Sequence, residues 1–166
     1  MMIQTMKLIK RVNFEDCDPF SHLNNAQYLN YFLNAREEQL RTHKVLNIFE
    51  HSRKTGNSWA VISHDIRYMK PALLGEELEI WSRMLTFDTL RNLVEFVMVN
   101  PENGQLKAMM HTQFAYFSIR DAKPAKPDEN LVRLFGEIAL FPGTPLYSIK
   151  MEDRLKAVKQ EILSES

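Results

Sequence analysis

The hydrophobic period changes along the chain, dividing it into a strand, a long helix, a run of further strands and a helical end. Over residues 7–14 apolar and polar positions alternate, with Leu8, Val12 and Phe14 set against Lys7, Arg11 and Asn13 and with Lys10 interrupting the first face. That is the pattern of a strand with one buried side. From Asn25 to about Lys44 the period becomes helical. Tyr28, Leu29, Phe32, Ala35 and Leu40 fall on one side and Gln27, Asn30, Asn34, Glu37, Glu38 and Arg41 on the other, so a broad aromatic face needs a partner. The segment HSRKTGNSW predicts a loop, with Gly56 and Asn57 as turn formers.

Beyond it the period is two. Over 58–69 the residues Ala60, Ile62, His64, Ile66 and Tyr68 share a face; over 77–87 Leu78, Ile80 and Met84 do so less cleanly. Over 90–99 Leu90, Val94, Phe96 and Met98 oppose Arg91 and Glu95, and over 105–118 Leu106, Ala108, Met110, Phe114 and Tyr116 oppose Lys107, His111 and Gln113. YMKPALLGEE, FDTL and NPENGQ supply the breaks. Strands this long exceed the usual length of about five or six residues. A long, antiparallel, curved sheet wrapped round the helix buries both apolar surfaces, giving an α+β class. Asp128 is placed to cap a helix over 129–135, and a further helix from Met151 carries a narrow stripe of Met151, Leu155, Val158 and Ile162. That stripe is expected to pack on the protein's own surface or a sister subunit. The expected organisation is one domain, residues 1–125, with a helical extension of it over 126–166.

Composition narrows the function classes. Lys plus Arg equal Asp plus Glu at 21 each, so no global field draws the chain to nucleic acid or to anionic membrane. The single cysteine, Cys17, excludes an internal disulfide and multi-cysteine zinc patterns, and suits a reducing compartment. MMIQTMKLIKRV lacks a signal-peptide core and no apolar run approaches the roughly 18 residues of a membrane span. A cytoplasmic protein is expected. Neither a metal-ligand cluster nor a Gly-rich phosphate loop is present in the sequence, and no cofactor is expected.

The candidate chemistry lies in FEDCDPFSHLNNAQYLNYF, residues 14–32, where acids, a cysteine, a histidine and asparagines crowd the approach to the helix. Asp18 sits one short loop before a helix start whose first N–H groups lack internal acceptors. Such a terminus carries about half a positive charge, so it can polarise a carbonyl while a carboxylate attacks it or activates water. Asp18-Pro19 is also a common turn opening, and Asp16 can satisfy donors of the same loop. The flanking acids raise the pKa of Cys17, which favours burial over nucleophilic use. Asn24 and Asn25 suit a helix cap. Tyr28, Tyr31 and Phe32 read as core or pocket wall, and His64 as a core histidine with its bonds satisfied. His64-Asp65 is the only adjacent acid–base pair on a strand, and alternation sends its members to opposite faces, which argues against hydratase chemistry.

Together with DIRYMKPALLGEELEI, this stretch resembles the hotdog-fold acyl-CoA thioesterases of the 4-hydroxybenzoyl-CoA thioesterase type, over roughly residues 7–120. HLNN is similar to the acyl-carrier-protein thioesterases. The resemblance implies a curved sheet around a central helix, a homodimer or dimer of dimers whose sheets join, and sites at the subunit boundary. It places the catalytic carboxylate on Asp18, the polarising N–H at Asn25, a functional position on His22 and substrate contacts on Asn24 and Tyr28. Arg67 and Lys70, near a strand end, are the candidates for coenzyme A phosphates. Ser21 stands where many of these enzymes have glycine and Phe20 where the carrier-protein branch has asparagine, which favours the version centred on Asp18. The implied activity is hydrolysis of a small or medium acyl-CoA without metal or redox cofactor. The rivals are a noncatalytic acyl-thioester-binding protein and a thioesterase acting on the acyl carrier protein.

Overall fold

Residues 2–165 are described by the structure, a computed structural model; residues 1 and 166, the outer limits of the two expected segments, lie outside it. Strand β1 (Met6–Arg11) and a single 3-10 turn (Phe14–Asp16) lead to the long helix α1 (Asn25–Thr42) and the short α2 (Ile48–Thr55). Then come β2 (Asn57–Tyr68), β3 (Glu77–Phe87), β4 (Arg91–Asn100), β5 (Gln105–Ser118), the two-residue β6 (Lys123–Pro124), α3 (Glu129–Ile138) and α4 (Met151–Glu165). The strands form one antiparallel sheet in the order β1-β3-β4-β5-β2, with β6 on β5. Register shifts at Val61/Ser63, Met84/Thr86 and Met98/Val99 bend strands that would otherwise run flat. No helix among the described residues is long and apolar enough to cross a membrane.

The concave face wraps α1. Tyr28, Tyr31, Phe32 and Ala35 bury against Leu78, Ile80, Val94, Phe96, Met98, Ala108 and Met110, with the Phe32 and Phe96 rings 5.4 Å apart. Each large side chain removed from water there contributes about 1.5–3 kcal/mol. Towards the other end of α1, α3 packs Leu131, Phe135 and Ile138 onto Met84 and Tyr116. Asp128 caps α3 as expected, its side chain accepting from the Leu131 N–H at 2.8 Å.

On the convex face the stripe of α4 buries Met151, Val158 and Ile162 against Trp81, Val97, Val99 and Met109. This second cover explains why alternation faded over 77–87, where both faces are buried. It also corrects the reading of Glu95, Lys107 and His111 as a polar face, since all three are buried. Glu95 is 0% exposed and meets Arg83 Nε and Arg154 Nη2 through Oε1, each at 2.8 Å, and Arg154 Nε at 2.9 Å through Oε2. His111 Nε2 lies 3.0 Å from the same Oε2. Arg83 in turn grips Glu161 of α4 with two bonds of 2.9 Å.

The expected loop HSRKTGNSW is largely helical. Asn47 caps α2, accepting from the Glu50 N–H at 3.1 Å, and Gly56 ends it in the left-handed region at φ 73°. No residue of α2 is buried, so it has no apolar stripe for periodicity to detect.

Candidate active site

Asp16, Cys17 and Asp18 run antiparallel to His22, Leu23 and Asn24 as a miniature hairpin in front of α1. The Asp18 N–H donates to the His22 carbonyl at 2.8 Å, Cys17 bridges Leu23, and the Asn24 N–H donates to the Asp16 carbonyl at 2.9 Å. At the tip the Ser21 N–H donates to the Asp18 carbonyl at 3.0 Å, and Ser21 takes φ 62°. The serine at the expected glycine position therefore adopts the left-handed conformation that glycine would favour.

This turn fixes the carboxylate. Asp18 Oδ1 accepts from the N–H groups of Phe20 (2.9 Å) and His22 (3.0 Å), while Oδ2 has no partner among the described residues. The hairpin is anchored on the segment after β2: the Leu23 N–H donates to the Ala72 carbonyl at 2.8 Å and the Leu74 N–H to the Ser21 carbonyl at 2.9 Å. From α1, the Tyr31 hydroxyl donates to Asp16 Oδ2 at 2.6 Å and accepts from the Asn13 N–H at 3.2 Å. Burial, with the bond to Asp16, pushes that phenol up to about 12, so it stays a donor. Asp16 thus ties the loop to α1 through Oδ2 and Asp18 ties its own turn through Oδ1, each keeping one oxygen without a partner among the described residues.

The helix start completes the arrangement. Asn24 is the N-cap, its side chain accepting from the Ala26 N–H (3.1 Å) and its carbonyl from the Gln27 N–H (2.8 Å). The Asn25 N–H has no acceptor among the described residues, so the first turn presents one unsatisfied donor beside its positive dipole end. Tyr68 of β2 closes over it, donating to the Asn25 carbonyl at 3.3 Å and meeting the Tyr28 ring edge-on at 5.0 Å. Tyr28 is buried, and its hydroxyl accepts from the Ala72 N–H at 3.0 Å.

Asp18, His22, Asn24, Asn25 and Tyr28 are brought together. The role of His22 in the loop is carried by its backbone; its ring makes no hydrogen bond among the described residues and lies 6.4 Å from the ring of Phe20, which is 78% exposed. Arg67 is not brought to them. It pairs across the sheet with Met109 of the convex cluster and its guanidinium meets Asp65 and Glu152. Lys70 follows β2 and is exposed. His64 is bonded as expected, Nδ1 lying 2.8 Å from Thr112 Oγ1, but it is exposed because β2 is an edge strand with no neighbour on its outer side. Asp65 faces His111 on the opposite side of the strand, as alternation requires. Cys17 donates to the Asn13 carbonyl at 3.4 Å, and burial first, then the charges of Asp18 and Asp16, push its thiol up. Tyr68 and the backbone of Ala72 were not singled out from sequence; the shared parity of Tyr68 with Ile66, which packs on the core beside α1, is the signal that would have found the tyrosine. Among the described residues no group of three His, Cys, Asp or Glu side chains is placed to hold a metal ion.

Residues 12–135 match the model of the thioesterase-like superfamily. No curated protein matches the chain. Among solved structures the chain is similar to the probable thioesterase YbaW from Escherichia coli (22% identity, TM-score 0.71, 81% of this chain and 98% of that one). It is also similar to Slr0204, a 1,4-dihydroxy-2-naphthoyl-CoA thioesterase from Synechocystis (17%, 0.72, 81% and 97%). A third is a hypothetical protein from Staphylococcus aureus solved in complex with CoA (14%, 0.75, 87% and 90%). At such identities the likeness is one of fold, and the sheet curved around α1 is the hotdog fold. With a family match running from before the hairpin to the end of the sheet and into α3, the chain belongs to the thioesterase-like superfamily.

Proposed function

We propose that the protein hydrolyses a small or medium acyl-CoA thioester to the free acid and coenzyme A, with Asp18 as the reacting carboxylate. The observation that supports this reading is that one Asp18 oxygen and the Asn25 N–H, in the hairpin and the helix start it leads into, are both without a partner among the described residues. The N–H and the helix dipole polarise the thioester carbonyl and receive its developing negative charge. Oδ2 either attacks the carbonyl carbon, forming an anhydride that water then hydrolyses, or takes a proton from the water that attacks; in both cases the C–S bond breaks as the tetrahedral adduct collapses, and the thiolate leaves and takes a proton from solvent. His22 supplies backbone N–H and Asn24 the cap that keeps the Asn25 donor pointed outward. CoA as the carrier is supported by the likeness to a CoA thioesterase and to a protein solved with CoA. Lys70 stands exposed for its phosphates, whereas Arg67 is engaged on the other face. The edge strand β2 exposes Val61 and Ile62 and carries no neighbour on its outer side among the described residues, which supports a homodimer joined there.

The test is thiol release from a panel of short, branched and aromatic acyl-CoAs and an acyl-carrier-protein thioester by wild type and Asp18→Asn. Asparagine retains the acceptor oxygen for the Phe20 and His22 N–H groups, so the fold is expected to survive while turnover falls by about a hundredfold to ten-thousandfold. Turnover of the variant within a few fold of wild type overturns the mechanism. Saturable binding without thiol release by wild type would make the protein a binder.

A further inference from the structure

Helix α1 carries a second cationic feature, at the end remote from Asp18. Arg36 is 7% exposed, and its guanidinium makes one hydrogen bond among the described residues, from Nη1 to Ser82 Oγ at 3.2 Å. That hydroxyl is itself spent on Gln39 Oε1, and Gln39 donates to the Ile80 carbonyl. No carboxylate lies within ion-pair distance of Arg36 among the described residues. On the convex face, by contrast, the buried Arg83 and the partly buried Arg154 both have carboxylate partners. A guanidinium has several N–H donors in a planar fork, and burying it without an anion is costly. Burial alone pulls the guanidinium down to about 10.

Arg36 lines a cavity of about 70 Å³ between the C-terminal half of α1, the start of α2, α3 and the concave face of the sheet. Its wall is apolar, including Leu40, Trp59, Met84, Phe114 and Phe135, and bears one other polar side chain, Asn92. Asn92 is 4% exposed, and the bond its amide makes is to the Met84 sulfur at 3.7 Å, a weak acceptor. Two polar groups, each more than nine-tenths buried, thus line one largely apolar pocket. Arg36 lies eleven residues beyond Asn25, about 16 Å along the helix, with the buried Tyr28 and Phe32 between them.

We infer that this cavity is a binding site for a short aliphatic carboxylate, distinct from the site at Asp18. The planar fork of Arg36 matches a carboxylate in two parallel bonds, and one negative charge neutralises it. Asn92 donates to the carboxylate edge, and the apolar wall takes the alkyl part. Phosphate fits less well, because its larger charge would find one cation and no further positive group on the lining. Waters alone would leave the guanidinium charge uncompensated. The inference does not depend on the thioesterase reading.

The experiment is isothermal titration of the full chain with acetate, butyrate and hexanoate, and with butanol as the uncharged control, following Trp59 emission in parallel. Saturable butyrate binding is expected, with no binding of butanol. Arg36→Met should weaken it by about tenfold or more, the worth of a buried charge-assisted bond. The same variant should be at least as stable to urea as wild type without ligand, because it removes an uncompensated buried charge. Asn92→Leu, which fills the pocket without touching Arg36, should also weaken binding. Absence of carboxylate binding to wild type up to tens of millimolar, or equal binding by Arg36→Met, overturns the inference and leaves a hydrated arginine only.

Discussion

Replacing Glu95 by Gln tests whether α4 is held by charge. Four nitrogens from Arg83, Arg154 and His111 surround the carboxylate at 2.8–3.0 Å, and it is 0% exposed. Burial alone would raise its pKa, but the bonds from Arg154 and His111 and the charges of Arg83 and Arg154 outweigh that and hold the carboxyl at about 2 instead of 4.5. At about 1.4 kcal/mol per tenfold change in proton affinity, the ionised form contributes about 3 kcal/mol to folding at neutral pH. The folded pKa is depressed, so this contribution is complete above about pH 5 and is lost as pH falls through the window between 4.5 and 2. Glutamine removes the charge and leaves the buried Arg83 and partly buried Arg154 guanidinium groups facing a neutral amide, a change that costs about 3–5 kcal/mol when one partner of a buried pair is lost. The assay is urea unfolding at pH 7, 4 and 2.5, followed by the emission of Trp81, which is 1% exposed under α4. Wild type should approach the variant as pH falls. A destabilisation below about 1 kcal/mol at pH 7, or parallel pH profiles for the two proteins, would refute the reasoning.

Two further changes probe the hairpin. Ser21→Gly relieves a left-handed serine, worth about 1–2 kcal/mol, against about 0.5–1 kcal/mol of added unfolded-state freedom, so urea unfolding should show unchanged stability or a gain of up to about 1 kcal/mol with turnover intact; a loss above 1 kcal/mol would mean the serine hydroxyl stabilises the turn. Tyr31→Phe removes the bond to Asp16 and the acceptor for the Asn13 N–H, which should cost about 1–3 kcal/mol in unfolding and lower kcat more than it raises KM; an unaltered kcat would detach the order of this loop from catalysis.

Much of the fold was legible because its signals are local. The N-cap at Asn24 starts α1 at the expected residue, and Pro, Gly and Asn breaks bound β3 and β5 where the pattern set them. Helix α2 escaped because it buries nothing, although Asn47, Glu50 and Gly56 form a cap, a capping-box position and a left-handed stop around it. The convex face escaped for a different reason. Arg83, Glu95, Arg154 and Glu161 look like surface charges one by one, and their burial depends on partners up to 78 residues apart. In the candidate site the same division holds: Asp16, Asp18, His22 and Asn24 interact within one hairpin, whereas Tyr68 and Ala72 reach it only through the sheet. Strand parity alone would have separated Arg67 from the site, since its neighbours Ile66 and Tyr68 face α1.

Arg83 and Arg154 of the convex face do more than hold α4 down. Arg154 and Glu161 are seven residues, about two turns, apart on one stripe, and each meets its own partner, Glu95 and Arg83. Sliding the helix by a turn would retain much of the apolar contact of Met151, Val158 and Ile162 but separate Arg154 from Glu95 and Glu161 from Arg83, so the ion pairs select one register where the apolar stripe alone would tolerate several. In that register Glu152 reaches Arg67 of β2 while the backbone edge of β2 stays uncovered. The extension therefore seals the middle strands without closing the edge that a second sheet would need. The convex side of the middle strands is thus fixed by α4, and the outer edge of β2 is left open.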